Sequence, residues 1–163
     1  MTNANAYLAG LIDGEGCIHL DTPGRTYRAR VSIGMSAPAL ALLTELQATW
    51  GGTIYCARPA TSRWAAAYTW HLTGDPAAAL LTAVRPFLRL KQQQADLALE
   101  VERLRTALPL RFPNGKTKKQ RAWSEETRSA CEEIKQQMHA LMRRHCEYST
   151  PVRRRRQPGE ATP

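Results

Sequence analysis

The segment LAGLIDGEG, Leu8 to Gly16, ends in Asp13 and Glu15, two carboxylates separated by Gly14 and approached through Gly10. Each glycine lowers helix stability by about 1 kcal/mol relative to alanine, and carboxylates resist desolvation. A chain that keeps both in one short segment has a use for the carboxylates. The other ligand-type side chains show less order. Cys17, Cys56, Cys131 and Cys146 are scattered without CxxC pairs, which argues against a zinc ribbon or disulfide framework and leaves reduced thiols. Cys131, His139, His145 and Cys146 match no usual tetrahedral spacing, and helix packing accounts for them better.

The elements that must position Asp13 and Glu15 are legible from periodicity. Good helix formers run from Asn3 to about Asp13, with Ala6, Gly10 and Gly14 four apart, so one helix face is nearly free of side chains. Such a face buries little apolar area unless another helix packs closely against it, and a symmetric partner suffices. The period then changes to two: Ile18 and Leu20 oppose His19 and Asp21. TPGRTY supplies a turn, after which Arg28, Arg30 and Ser32 alternate with Ala29, Val31 and Ile33. Ser36 to Pro38 starts a helix bearing Leu40, Leu43 and Leu46 that stops at WGG. Thr53 to Ala57 and Ala66 to Thr73 read as a second strand pair, joined by a loop with Arg58, Arg63 and an unburied Trp64. Tyr68, Trp70 and Leu72 are assigned to the core, Thr69 and His71 to the open face. Asp75 and Pro76 open a helix that Pro86 ends or kinks, and FLRLKQQQADLALEVERLRTAL reads as one long amphipathic helix.

The chain has 163 residues, 43% hydrophobic, enough for one core and cramped for two independent domains. Lys and Arg number 23 against 14 Asp and Glu, a net charge of +9 that favours a polyanionic partner, with Arg153 to Arg156 contributing part of the excess. Arg28, Arg30, Ser32, Tyr55, Thr69 and His71 fall on the wet face of an antiparallel sheet, a surface able to enter the DNA major groove. An ordinary solvated sheet face is the alternative. No apolar run reaches bilayer length and no secretion signal is visible, so the expected protein is soluble and intracellular, in the cytoplasm of a bacterium or phage host or in an organelle.

LAGLIDGEG resembles the signature helix of the LAGLIDADG homing endonucleases, with the family's alanine and second aspartate replaced by Gly14 and Glu15. GGTIY, YTWHLTG and RPFLRLKQQQADLAL follow in the family's order, so the resemblance runs from about Tyr7 to Leu104. It implies an α+β fold: an αββαββα core with a four-stranded antiparallel DNA-binding sheet and extra C-terminal helices. It further implies that two signature helices pack together through small residues, here Ala6, Ala9, Gly10 and Asp13. Glu15 and the Gly14 carbonyl match the family's metal ligands, and Lys91 matches its active-site lysine. The implied cofactor is Mg²⁺, with Mn²⁺ as a substitute and no small-molecule cofactor. His19, Asp21, Arg25, Arg28, Arg30, Ser32, Tyr55, Arg58, Arg63, Thr69 and His71 are the expected DNA contacts. Met35 and Ala39 stand where some members carry glutamine and arginine, with Ser36 as the nearest polar substitute.

A single signature implies a homodimer that makes a staggered double-strand cut in a long pseudo-palindromic target, in the setting of intron or intein mobility. Two other functions compete: a non-cleaving DNA- or RNA-binding relative such as an intron-splicing maturase, and a structural dimer whose carboxylates only cap a helix. The expected organisation is a core domain over 1–106, a loop and helix packing on it over 107–148 and a basic tail over 149–163. Ser124 with Glu125 and Glu126 starts that last helix, which should end near RRHC.

Overall fold

A computed structural model describes residues 2–111 and 120–149; residues 150–163 of the basic tail and most of the connector RFPNGKTKKQR lie outside the described residues. Helix α1 (Thr2–Glu15) runs directly into strand β1 (Gly16–Asp21). Gly16 permits the junction, because a Cβ there would lie 2.7 Å from both Cα and O of Ile12. A turn through Pro23–Arg25 leads to β2 (Arg28–Ser36), a 3₁₀ turn (Ala37–Ala39) and α2 (Leu40–Trp50). Strands β3 (Thr53–Arg58) and β4 (Ala67–Thr73) precede α3 (Asp75–Val84), the 3₁₀ turn Arg85–Phe87 and α4 (Gln92–Ala107). Two short strands, β5 (Leu110–Arg111) and β6 (Gln120–Arg121), and the helix α5 (Glu125–Ser149) complete the described chain.

The main sheet has four strands in the order β1-β2-β4-β3, every neighbouring pair antiparallel. Alternation holds through β1, β2 and β4. Ile18, Leu20, Ala29, Val31, Ile33, Trp70 and Leu72 are buried and form one core with Leu8, Ile12, Leu43, Leu80, Leu81, Val84, Ala95, Ala98 and Val101 of the helices. All the helices therefore lie against one face, and the residues between the buried ones form the other. Gly52 (φ 89°) closes the α2–β3 turn under Trp70, whose indole N–H donates to the Gly51 carbonyl at 2.9 Å; a Cβ on Gly52 would collide with the His71 carbonyl.

Glu102 of α4 is 3% exposed, yet it is doubly satisfied. Its carboxylate accepts the Ala29 N–H at 2.6 Å and the Arg105 Nε–H at 2.6 Å, and Arg105 also meets Asp75 at the start of α3. One buried carboxylate thus ties α4 to β2 and, through Arg105, to α3. The α5 helix is capped by the Ser124 hydroxyl, which accepts the Thr127 N–H at 3.1 Å, and it adds Cys131 and Met138 to the same core. Burial pushes the Cys131 thiol up to about 11, so it packs as an apolar group. Tyr27 donates to Glu132 at 2.7 Å; burial and that bond push its phenol up to about 12.

Two expectations need correction. The segment from Phe87 to Leu108 is not one helix: Leu88 is extended and α4 begins only at Gln92. The cause is an interaction distant in sequence, described below. The connection to α5 also contains the small β5–β6 ribbon, which periodicity over two-residue strands could not reveal.

Candidate active site

The register lays the polar face out in rungs. Asp21 faces Arg28; His19, Arg30 and Thr73 are in line; then Cys17, Ser32, His71 and Thr53; then Gly34, Thr69 and Tyr55; and finally Ser36, Ala67 and Arg58. Nine of the expected DNA contacts therefore share one face, while Arg25 and Arg63 occupy turns at its opposite ends. Cys17, Thr53 and Thr73 belong to the same face and were missed; alternation with His19 is enough to find Cys17.

Charges on this face are partly spent on one another. Arg30 Nη1 meets both Asp21 carboxylate oxygens at 3.1 and 3.2 Å, and His19 Nε2 lies 3.6 Å from Asp21. Burial lowers the pKa of His19 and of His71 below the ordinary histidine value; for His19 Asp21 opposes this and Arg30 reinforces it. Arg30 Nε and His71 Nδ1 are buried without a partner among the described residues. Tyr55 packs edge-on to His71 with ring centres 5.7 Å apart. Arg28 instead lines a polar cavity of about 520 Å³ with Arg105 and Arg121, and the exposed Arg25 lies 3.7 Å from Glu125.

At the other end of the sheet, α1 delivers its carboxylates. Asp13 accepts the N–H of Arg89 at 2.7 Å and of Lys91 at 3.0 Å, and the Lys91 ammonium returns to the carbonyls of Ile12 (2.8 Å) and Asp13 (2.6 Å). This reciprocal clasp holds residues 89–91 out of a helix and delays the start of α4. It also places a cation at the negative end of α1, where the last carbonyls have no partner within the helix. Burial lowers the Lys91 ammonium from the usual lysine value, against the pull of Asp13, Cys17 and Glu15. Glu15 is exposed and shares an open cavity of about 340 Å³ with Arg58, Ser36 and Thr69.

The bare face of α1 is real: Ala6, Gly10 and Gly14 are exposed, and a Cβ on either glycine would meet nothing within 4 Å. Tyr7 (61% exposed) lies along it, and Leu90 (62% exposed) projects from the clasped turn. Ala9 does not belong to this face. It is fully buried in the chain's own core, while Asp13 is half-buried and occupied by the clasp. Met35 packs partly against the core, on the strand face of Val31 and Ile33, and also reaches the rim of the cavity that Glu15 and Ser36 line.

Among the described residues no three His, Cys, Asp or Glu side chains converge as a metal cluster. One carboxylate with neighbouring backbone carbonyls is a hard-oxygen set, suited to a divalent cation that takes its remaining ligands from phosphate and water.

No protein-family sequence model matches the chain, nor does any curated sequence. Solved structures do. The homing endonuclease I-CvuI, crystallised with its DNA target in the presence of Ca, is 20% identical with a TM-score of 0.63, the match covering 85% of this chain and 82% of that one. The archaeal intron-encoded homing endonuclease I-Vdi141I, complexed with DNA, is 12% identical with a TM-score of 0.61 over 86% and 84%. The LAGLIDADG meganuclease I-AabMI, bound to uncleaved DNA, is 17% identical with a TM-score of 0.59 over 80% of this chain but 43% of its own. The chain has the LAGLIDADG homing-endonuclease fold.

Proposed function

We propose that the protein is a site-specific, metal-dependent DNA endonuclease that acts as a homodimer and makes a staggered cut in a long pseudo-palindromic duplex, as an agent of intron or intein mobility. The observation that carries this reading is the placing of Glu15: an exposed carboxylate at the foot of a side-chain-poor helix, at one end of a polar, arginine- and histidine-bearing sheet face. Two copies packed along Ala6, Gly10 and Gly14 bring two such carboxylates to one stretch of duplex. The two glycines support the seam, since each weakens α1 and neither is needed by the chain's own packing. The likeness to about half of I-AabMI, but to most of I-CvuI and I-Vdi141I, fits a chain that supplies one half of a two-fold arrangement.

Glu15 and the Gly14 carbonyl are the residues that would hold Mg²⁺, or Mn²⁺ in its place; when bound, such an ion lowers the pKa of a coordinated water and offsets charge on the leaving oxygen. The sheet sets register through phosphates and reads base edges through Arg30, His71 and Tyr55. Lys91 fixes the end of α1 and so the direction of Glu15, with one ammonium hydrogen left for a water or phosphate oxygen.

The test is to incubate the protein with a randomised duplex library and Mg²⁺, with an EDTA control, and to sequence bound and cut molecules separately. Specific staggered ends that vanish with EDTA are expected. Glu15→Gln should bind the selected duplex and lose cleavage by on the order of a hundredfold or more. Enrichment of bound, uncut duplex by the native chain would favour a non-cleaving DNA- or RNA-binding relative such as a maturase, a reading to which the apolar Met35 and Ala39 lend weight.

A further inference from the structure

The cavity beside Glu15 contains a cation, Arg58, that strand alternation would have placed on the face of Cys56 and not on that of Tyr55. Alternation along β3 puts Thr53, Tyr55 and Ala57 on the open face and Ile54, Cys56 and Arg58 on the other. The pairing breaks this pattern. Tyr55 faces Thr69 and Cys56 faces Tyr68, but Arg58, not Ala57, faces Ala67. The extra residue is a bulge, a device that re-aims a side chain. It brings Arg58 onto the open-face rung of Ala67 and Ser36, into the cavity that Glu15 lines. Beyond the bulge, the guanidinium lies 5.8 Å from the Trp64 ring centre. Trp64 is itself fixed by Thr61, whose hydroxyl accepts the Trp64 N–H at 3.1 Å and whose N–H donates to the Trp64 carbonyl at 2.9 Å. The loop thus sets the backbone of Trp64, whose ring offers its face to the Arg58 guanidinium.

Lys91 does not line this cavity, its ammonium being turned to the carbonyls of α1. Met35 lines it without a charge. We propose that Arg58 is the catalytic residue that contacts the scissile phosphate in the Glu15 cavity, its guanidinium donating to the non-bridging oxygens. Negative charge grows there as the oxygen of a water bonds to phosphorus and one ester P–O bond breaks; the water gives its proton to solvent and the departing oxygen takes one up. A planar fork of donors lining that cavity matches two such oxygens at once and offsets the growing charge. Lys91 orients Glu15 through α1 and keeps its remaining ammonium hydrogen for a water or phosphate oxygen. This inference rests on the endonuclease reading and assigns its phosphate-binding cation.

The experiment compares the native chain, Arg58→Gln and Arg58→Lys on a target recovered from the library, measuring the dissociation constant and the single-turnover cleavage rate at saturating protein. Arg58→Gln is expected to reduce the saturated rate by on the order of a hundredfold while binding changes by less than about threefold, with Arg58→Lys recovering part of the rate. Native cleavage with an unchanged Arg58→Gln saturated rate would overturn the assignment and leave the endonuclease reading standing, whether or not binding weakens. A native chain that binds its selected duplex but does not cut it in Mg²⁺ would overturn both.

Discussion

At the scale of single residues, the chemistry is decided by which charged groups the chain has already satisfied. Asp13 and Glu15 look equivalent in LAGLIDGEG, but Asp13 accepts two backbone N–H groups from residues 89 and 91, whereas Glu15 projects into an open cavity. Glu102 is the extreme case of a satisfied carboxylate. Glu102→Ala should leave Arg105 without its buried partner and the Ala29 N–H unpaired, destabilising the fold by about 3 kcal/mol. Denaturant unfolding would register this as a lower midpoint with an unchanged slope. Motif similarity in the sequence singled out Glu15, Gly14 and Lys91, but the sequence did not disclose that Lys91 reaches back to α1, because that contact spans 78 residues and leaves no periodic trace. Ala9 was misplaced for the opposite reason: small residues look alike in a helix whether they face a core or a partner.

At the scale of elements, the two hairpins were the most legible part, since alternation of apolar and polar residues over five or more positions has few other causes. What escaped was irregularity. The β3 bulge depends on pairing with β4, and the late start of α4 depends on a carboxylate in α1; neither leaves a local pattern. The polar face has a pH response of its own. His19 and His71 have folded pKa values below their unfolded ones, so the folded chain binds fewer protons than the unfolded chain between the two values. Their contribution to stability is therefore full above the ordinary histidine value near 6.5 and falls as the pH drops below it. Phosphates laid across the face would favour the protonated rings. Duplex binding should accordingly tighten between pH 7.5 and pH 5.5 and show a steeper salt dependence at the lower pH, an outcome that titrations at several salt concentrations would establish. Replacing both histidines with glutamine should flatten the pH response.

At the scale of the whole molecule, helices on one side of a sheet leave two surfaces that no element among the described residues covers, the polar sheet face and the bare flank of α1. Gly10→Leu tests the second cleanly. Leucine adds bulk where the single chain has room and raises helix propensity by about 1 kcal/mol. The variant should therefore remain folded by circular dichroism yet sediment as a monomer and lose double-strand cutting; a native sedimentation mass with intact cutting would rule out this flank as the seam. No helix among the described residues is long and apolar enough to cross a membrane. If the protein is the homodimeric endonuclease proposed above, its one exposed glutamate at the foot of α1 supplies half of what a duplex break requires. On the proposed seam, breakage at low abundance scales with the square of the number of chains present, so a host making only a few copies is spared cuts to its genome until synthesis passes a threshold.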